Sequence, residues 1–110
     1  MTKEKLKSGL HTTYFFFSGQ KKHEGNYKDN LEFGKHTWWY KNGQIEVEFN
    51  YKDDNLVSQT DYHYYNTGQL SKKINRKDKK LNGKSTSWYK NGNKKIESNF
   101  KISKLILLFF

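Results

Sequence analysis

Large apolar residues alternate with polar ones on both sides of the pair Asn42-Gly43. Asn-Gly favours the two-residue type I′ turn, the tightest link of a β-hairpin. With that turn, one face of the hairpin collects Trp38, Tyr40, Ile45, Val47 and Phe49, and the other carries Thr37, Trp39, Glu46 and Glu48. This register sets Trp39 opposite Glu46. Because successive side chains of a strand point to opposite faces, the pattern predicts a half-buried antiparallel hairpin.

The same pattern recurs along the chain. Four glycines, Gly19, Gly43, Gly68 and Gly92, are 24, 25 and 24 residues apart. Each follows a pair of aromatic residues, namely Phe15-Phe16, Trp39-Tyr40, Tyr64-Tyr65 and Trp88-Tyr89. Self-similarity at a fixed period is the signature of a repeat array. We therefore predict one domain of four tandem hairpin repeats, residues 9–33, 34–57, 58–82 and 83–104.

The flanking and connecting segments differ from the hairpins. Residues 1–8 resemble a partial linker, and residues 105–110 form the apolar stretch LILLFF. This stretch is a truncated or frame-shifted continuation, a strand that covers the end of the sheet, or an interaction tail. It is too short to cross a bilayer, which takes about 20 helical residues.

Weaker turn signals and charged links complete the pattern. Ser18-Gly19 and Thr67-Gly68 lack the Asn of a type I′ turn, so we expect longer loops in units one and three. The links between hairpins are charged turns with a leucine near their end, which would hold the link against the sheet; these leucines are Leu31, Leu56 and Leu81.

Composition supports a thin β structure. Only 33% of the residues are hydrophobic, but three Trp, eight Tyr and eight Phe argue against disorder, because disordered segments are poor in aromatic residues. Large rings in a single layer supply buried area without a deep core. Aromatic and β-branched residues, Asn-Gly turns and the period of two all disfavour helices. We therefore predict an all-β fold.

The repeated unit G-K-x-T-x-W-Y-K-N-G, followed by an aromatic residue and a Lys-Asp turn, resembles the bacterial MORN-type repeat. More narrowly, it is similar to the variant in proteins labelled YwqK-family antitoxins. The pattern is present at Gly34, Trp39, Tyr40, Asn42 and Gly43, and again at Gly83, Trp88, Tyr89, Asn91 and Gly92; units one and three depart from it at Ser18, Ser58 and Thr67. The resemblance implies an elongated, single-layer antiparallel sheet of hairpins. It also implies binding or scaffolding without catalysis, with toxin neutralisation as a label common in the family.

Candidate chemistry is sparse. The chain has no Cys, which excludes thiolate sites and disulfides. Its four histidines, His11, His23, His36 and His63, match no zinc-site spacing, and His11 and His36 take positions that the repeat dictates, so a structural role is the simpler interpretation. No nucleophile elbow, P-loop or dinucleotide motif is present. We predict a protein that is not an enzyme and needs no cofactor or metal.

The net charge of +10 attracts acidic partners in general. However, Arg76 is the only arginine, and arginine is preferred where phosphates or bases are bound in a bidentate manner. A lysine excess is also what an AT-rich genome produces, which is the simpler explanation. The N-terminal MTKEKLKSG has no apolar run behind it, so we expect no secretory signal and a cytoplasmic location.

One set of residues is a candidate interaction face. The rings of Phe15, Trp39, Tyr64 and Trp88 are predicted on one face, with a basic rim of Lys35, Lys41, Lys84 and Lys90. These rings either stack neighbouring hairpins together or bind a partner. The first candidate is a partner protein, such as a toxin. Peripheral binding to anionic lipid is the second, and weak non-specific nucleic-acid binding is the third and least favoured.

Overall fold

A computed structural model describes residues 6–78 and 80–100, which form eight β-strands and no helix. The strands are β1 (Gly9–Tyr14), β2 (Lys21–Lys28), β3 (Leu31–Trp39), β4 (Ile45–Lys52), β5 (Asn55–Tyr64), β6 (Leu70–Lys77), β7 (Lys80–Trp88) and β8 (Lys94–Phe100). They are antiparallel and follow one another in chain order. The predicted all-β fold of successive hairpins is confirmed. The predicted tail at 105–110 and the end of the fourth unit lie outside the described residues.

Contacts divide the chain into two units, Met1–Val57 and Ser58–Phe110. In the first unit, β1 pairs with β2, β2 with β3, and β3 with β4. In the second unit, β5 pairs with β6, β6 with β7, and β7 with β8. Each unit is therefore a single layer of antiparallel strands, built from two of the predicted repeats.

The Asn-Gly loops are not the predicted type I′ turns. In the β3–β4 loop, the N–H of Tyr40 donates to the carbonyl of Gln44 (2.8 Å) and the N–H of Gly43 donates to the carbonyl of Tyr40 (3.0 Å). Gly43 has a φ of 92°, whereas Asn42 has no positive φ. This is the three-residue hairpin loop, in which a turn ends on a left-handed residue. The extra loop residue is absorbed by a bulge next to the loop, so that Trp39 lies opposite Ile45 and not opposite Glu46. Further along the hairpin the predicted register is confirmed, with Trp38 opposite Val47 and His36 opposite Phe49.

The expectation of longer loops is confirmed in the first repeat and wrong in the third. The N–H of Gly68 donates to the carbonyl of Tyr65 (2.9 Å), and Gly68 has a φ of 94°, as in the Asn-Gly loops. The N–H of Gly19 instead donates to the carbonyl of Phe15 (3.0 Å), one residue further away. The left-handed glycine fixes the three-residue loop, and Thr67 before it serves as well as asparagine.

Type I′ geometry occurs in the links instead. Asp29 and Asn30 have φ values of 50° and 70°, and they join β2 to β3 as a two-residue turn. Asp53 and Asp54, with φ values of 50° and 68°, join β4 to β5 in the same way. Asp and Asn tolerate this left-handed region better than other residues that carry a side chain. Leu31 and Leu56 consequently lie inside the following strands and do not belong to a link.

Buried side chains in the described residues are polar. Among the described residues no large hydrophobic side chain is buried, and the buried polar side chains are those of His23, His36, Thr37 and Thr86. A single layer leaves each apolar ring partly in contact with solvent, as the composition predicted.

Candidate binding surfaces

The predicted interaction residues of the first unit are partly exposed or exposed. Phe15 and Trp39 are partly exposed, and Lys35 and Lys41 are exposed. The ammonium of Lys21 lies 5.6 Å from the centre of the Trp39 ring. Lys35 is not a free cation, because its Nζ lies 2.7 Å from Oε2 of Glu48 on the neighbouring strand.

The second unit repeats this arrangement. Trp88 is partly exposed, and its backbone carbonyl accepts a 2.6 Å hydrogen bond from the hydroxyl of Tyr65. Nζ of Lys84 lies 3.1 Å from Oε1 of Glu97. The remaining predicted residues are Tyr64, which is partly exposed, and Lys90, whose ammonium lies 5.9 Å from the centre of the Tyr65 ring. In each unit, the predicted residues are at least partly accessible to solvent. Their role in binding stays a prediction.

Ion pairs on this face hold two carboxyl groups in their charged form. A hydrogen bond from Lys21, reinforced by one from Thr12, lowers the pKa of Glu24. Hydrogen bonds from Lys94 and Lys84 lower the pKa of Glu97. Because exposed pairs of this kind contribute little to folding, their main effect is to reduce the free positive charge of the face.

The opposite face of the first unit is built around a histidine. His36 is 0% exposed and lies opposite Gly25 of β2, where a Cβ atom would overlap the His36 ring at Nδ1. Tyr27 and Tyr51 each contact the His36 ring edge-on, with ring centres 5.1 Å apart. The neighbouring His23 stacks on Trp38 at 4.3 Å. We call this set of rings, namely His23, Tyr27, His36, Trp38, Phe49 and Tyr51, the aromatic cluster.

Hydrogen bonds assign the tautomers of the two histidines in their neutral forms. His36 Nε2 lies 2.9 Å from the carbonyl oxygen of Asn26, which can only accept, so Nε2 carries the proton. His36 Nδ1 then accepts from Nε2 of His23 at 2.9 Å. Burial, the nearby His36 and then Lys7 lower the pKa of His23, against the opposing effect of Glu24. Burial also raises the pKa of Tyr27 and of Tyr51.

The predicted structural role of the histidines agrees with this geometry. His11 lies 3.0 Å through Nε2 from the carbonyl of Ser8, and His63 is exposed. Within the described ranges, no group of three histidine, cysteine or carboxylate side chains could hold a metal ion. The partnership of His23 and His36 was not predicted, because it depends on the register between β2 and β3. The signal was Gly25, which makes room for His36.

A separate apolar feature lies at the tip of the β1–β2 hairpin. Phe16 and Phe17 are 91% and 97% exposed, and their rings contact each other edge-on at 4.9 Å. Lys41, from the neighbouring β3–β4 loop, lies beside Phe15, Phe16 and Phe17 around a shallow cavity. We call Phe15, Phe16 and Phe17 the phenylalanine tip.

Fold and surfaces together define a tandem β-hairpin repeat protein. Two segments, residues 34–53 and 81–101, match the family model of the MORN repeat variant. They coincide with the β3–β4 and β7–β8 hairpins. MORN repeats are non-enzymatic modules that generally bind proteins or membranes. The resemblance to a MORN-type repeat is thus confirmed for two hairpins, while the narrower YwqK-family resemblance stays a prediction.

No curated protein and no solved structure matches the chain. Among the described residues, there is no helix of the length and hydropathy that crossing a membrane would need.

Proposed function

We propose that this chain is a non-catalytic binding module that acts by contacting a partner protein. The observation that carries the proposal is the pair of tryptophans Trp39 and Trp88, which end equivalent strands β3 and β7 and are both partly exposed. Tryptophan is enriched among residues that dominate binding energy, because its large ring loses much contact with water and its N–H can still donate a hydrogen bond.

The charges around these tryptophans favour selective contact. The pairs Lys35–Glu48 and Lys84–Glu97 flank the buried threonines Thr37 and Thr86 in the two units. Polar groups around an aromatic centre are the usual arrangement of a protein interface. Such a rim sets the specificity and the rate of encounter more than the affinity.

The test is to purify the untagged protein from its own cells and to look for a second protein in stoichiometric amount. We expect such a partner, and we expect the Trp39→Ala/Trp88→Ala double variant to lose it. Tyr89→Ala is the matched control, since it removes an exposed ring that does not belong to the predicted interaction residues. Absence of a stoichiometric partner, or full retention by the double variant, would contradict the proposal.

A toxin protein in the cytoplasm is the specific partner that the family resemblance suggests. The corresponding test is to express the neighbouring downstream gene alone and together with this chain. Growth arrest that only the wild-type chain relieves would support neutralisation. A neighbouring gene that is harmless, or whose toxicity the chain does not change, would remove the toxin while leaving other protein partners in place.

A second function, peripheral binding to anionic membranes, is favoured by the phenylalanine tip. Exposed apolar side chains on a convex loop, with lysine nearby, can enter the boundary between lipid headgroups and acyl chains. Among the large hydrophobic residues that the structure describes, Phe16 and Phe17 are the most exposed.

Flotation with vesicles tests this second function. We expect binding to vesicles of phosphatidylcholine with phosphatidylglycerol, weaker binding to phosphatidylcholine alone, and loss of binding in the Phe16→Ser/Phe17→Ser variant. Leu10→Ser, which changes an exposed residue of β1, is the control. Binding that is independent of anionic lipid or unchanged in the double variant would rule out this function for the tip.

A further inference from the structure

The two units differ in one row of residues. Strands β6–β8 repeat the pairing of β2–β4 at positions 49 residues further along the chain. Ser85, Ser87 and Ser98 accordingly occupy the places that His36, Trp38 and Phe49 hold in the first unit. Three rings of the aromatic cluster are thus replaced by three of the smallest polar side chains.

A groove lies where these rings would be. The three serines and the apolar residues Ile74, Leu81 and Ile96 line a space of about 200 Å³. Ile74 stands where the first unit has Gly25. Its side chain fills part of the space that the three missing rings would occupy, and the rest forms the groove. An apolar cavity of about 150 Å³ is large enough for a benzene ring, whereas sites for drug-sized ligands usually start near about 300 Å³. The groove therefore suits one large side chain.

Two polar groups at the groove point to a ligand that carries more than a ring. Oγ of Ser85 is buried and has no hydrogen-bond partner within the described part of the chain. A buried hydroxyl without a partner costs free energy, which a bound acceptor or donor would recover. Lys72 stands on the wall of the groove and, among the described residues, forms no salt bridge.

We propose that this serine-lined groove is the docking site for an aromatic side chain of an acidic partner segment. The aromatic ring takes the space that rings fill in the first unit, a polar group of the segment pairs with Ser85, and a carboxylate beside the ring pairs with Lys72. The proposal rests on the protein-binding function proposed above, and it adds the location and the chemistry of the partner.

Charge separates this occupant from a second copy of the chain. Each copy carries a net charge of +10, so two copies repel each other, whereas an acidic segment is attracted. Among the described residues, Arg76 and Asp61 also lie on this face, and because their side chains are paired at 2.8 Å, Lys72 is the cation that we assign to the partner's carboxylate.

The test titrates the ¹⁵N-labelled full chain with short blocked peptides and follows amide shifts. The probe has one Phe flanked by two Asp on each side, and the controls carry Ala in place of Phe, or Lys in place of Asp. We expect the Phe-Asp peptide to shift residues of β6, β7 and β8 around the groove. Both control peptides should bind at least about tenfold more weakly.

Variants of the protein test the same site. Ser87→Trp rebuilds the ring of the first unit inside the groove, and we expect at least about tenfold weaker binding of the Phe-Asp peptide. Asn99→Trp adds the same ring at an exposed position on the other face of β8 and should leave the affinity unchanged. Lys72→Glu should weaken the Phe-Asp peptide and strengthen the Phe-Lys peptide. If Ser87→Trp fails to fold, Ser98→Phe replaces it.

Several results would overturn the proposal. These are equal binding of the Phe and Ala peptides, shifts that map elsewhere, and unchanged affinity in Ser87→Trp. Contacts of the groove with residues 105–110 of the chain itself, or groove shifts on dilution, would show a different occupant. A cellular partner that still co-purifies with Ser87→Trp would reject the groove but leave the protein-binding function intact.

Discussion

His36 holds the position that a hydrophobic residue takes in most cores. It is fully buried, bonds the carbonyl of Asn26 and the ring of His23, and contacts two tyrosine rings. An imidazole can replace a hydrocarbon here because each of its nitrogens has a partner, which removes the cost of burying a polar group. In a sheet of one layer, such a ring joins three neighbouring strands.

Replacing this residue tests its role directly. We expect His36→Ala to lower the free energy of unfolding by about 2–4 kcal/mol, because it opens a cavity and leaves a carbonyl and an imidazole N–H without partners. Ser85→Ala is the matched control in the second unit, and we expect no loss and a gain of up to about 1 kcal/mol, since its buried hydroxyl has no partner to lose. Urea denaturation followed by circular dichroism gives both values. Equal losses of stability in the two variants would mean that His36 contributes no more to folding than Ser85 does.

The histidine pair also makes stability depend on pH. The pKa of His23 is lowered from its ordinary value of 6.5, so the unfolded chain takes up a proton at a higher pH than the folded chain. The contribution of His23 to the free energy of unfolding is therefore fully present above about pH 6.5, and it is lost as the pH falls through the lowered pKa of the folded state.

The measurement is the urea midpoint between pH 8 and pH 5. We expect the wild-type midpoint to fall over this range, and the fall to be smaller in His23→Gln, whose amide can still donate to His36 but cannot titrate. A wild-type midpoint that does not change, or an unchanged slope in His23→Gln, would contradict the assignment.

At the scale of elements, two of the turns between hairpins are each held by a pair of hydrogen bonds to the backbone of a residue earlier in the chain. Asp54 of the β4–β5 turn donates its N–H to the carbonyl of Glu32 (3.0 Å) and accepts from the N–H of Glu32 through Oδ1 (3.1 Å). Asn30 of the β2–β3 turn makes the same two bonds to Lys7 (2.8 and 2.6 Å). A side chain with an acceptor oxygen, tolerant of positive φ, is required at both positions, which is why Asp or Asn occurs there.

Three substitutions at Asp54 separate these requirements. Asp54→Asn keeps the acceptor and the tolerance of a φ of 68°, so we expect a stability within about 0.5 kcal/mol of wild type. Asp54→Gly removes only the acceptor, and we expect it to lower the free energy of unfolding by about 1 kcal/mol. Asp54→Ala loses both and should cost about 2–3 kcal/mol. Thermal or urea unfolding measures the stability of the three variants, which we expect to decrease in the order Asn, Gly, Ala. Equal stabilities of the Gly and Ala variants would show that backbone strain at this position contributes nothing.

The sequence predicts features that depend on neighbouring residues better than contacts between residues that lie far apart along the chain. The hairpins follow from Gly43, Gly68 and Gly92, because a glycine after a run of alternating residues is a local signal. The same signal does not distinguish a two-residue from a three-residue loop, since both accept Asn-Gly. The contact of His36 with Gly25 depends on the pairing of β2 with β3, which no local pattern specifies. The candidate face was predicted residue by residue, but its lysine–glutamate pairs depend on side-chain conformations that the alternation of residues does not specify.

At the scale of the molecule, the two units are built from one pattern but filled differently. The first packs the aromatic cluster around His36, whereas the second has the serine-lined groove at the equivalent place. Fewer packed rings mean less area removed from water, and therefore a lower free energy for local opening.

Hydrogen exchange measures this difference. We expect the amides of β2 and β3 to exchange more slowly than those of β6 and β7, by about tenfold or more, because opening the first unit exposes more packed rings. Ser87→Trp should slow exchange in β6 and β7 and leave β2 and β3 unchanged. Equal protection in the wild type would mean that the rings of the aromatic cluster do not set local stability.

The close approach of Gly25 and His36 has an evolutionary consequence. These residues stand at the same places as Ile74 and Ser85, and an isoleucine cannot stand opposite His36, because a Cβ at position 25 would overlap the His36 ring. The members of each pair lie in different repeats, on either side of the boundary between them. Recombination that copies one repeat over another would therefore combine mismatched partners. Gene conversion that preserves the fold must carry β2 and β3, or β6 and β7, as one inherited block.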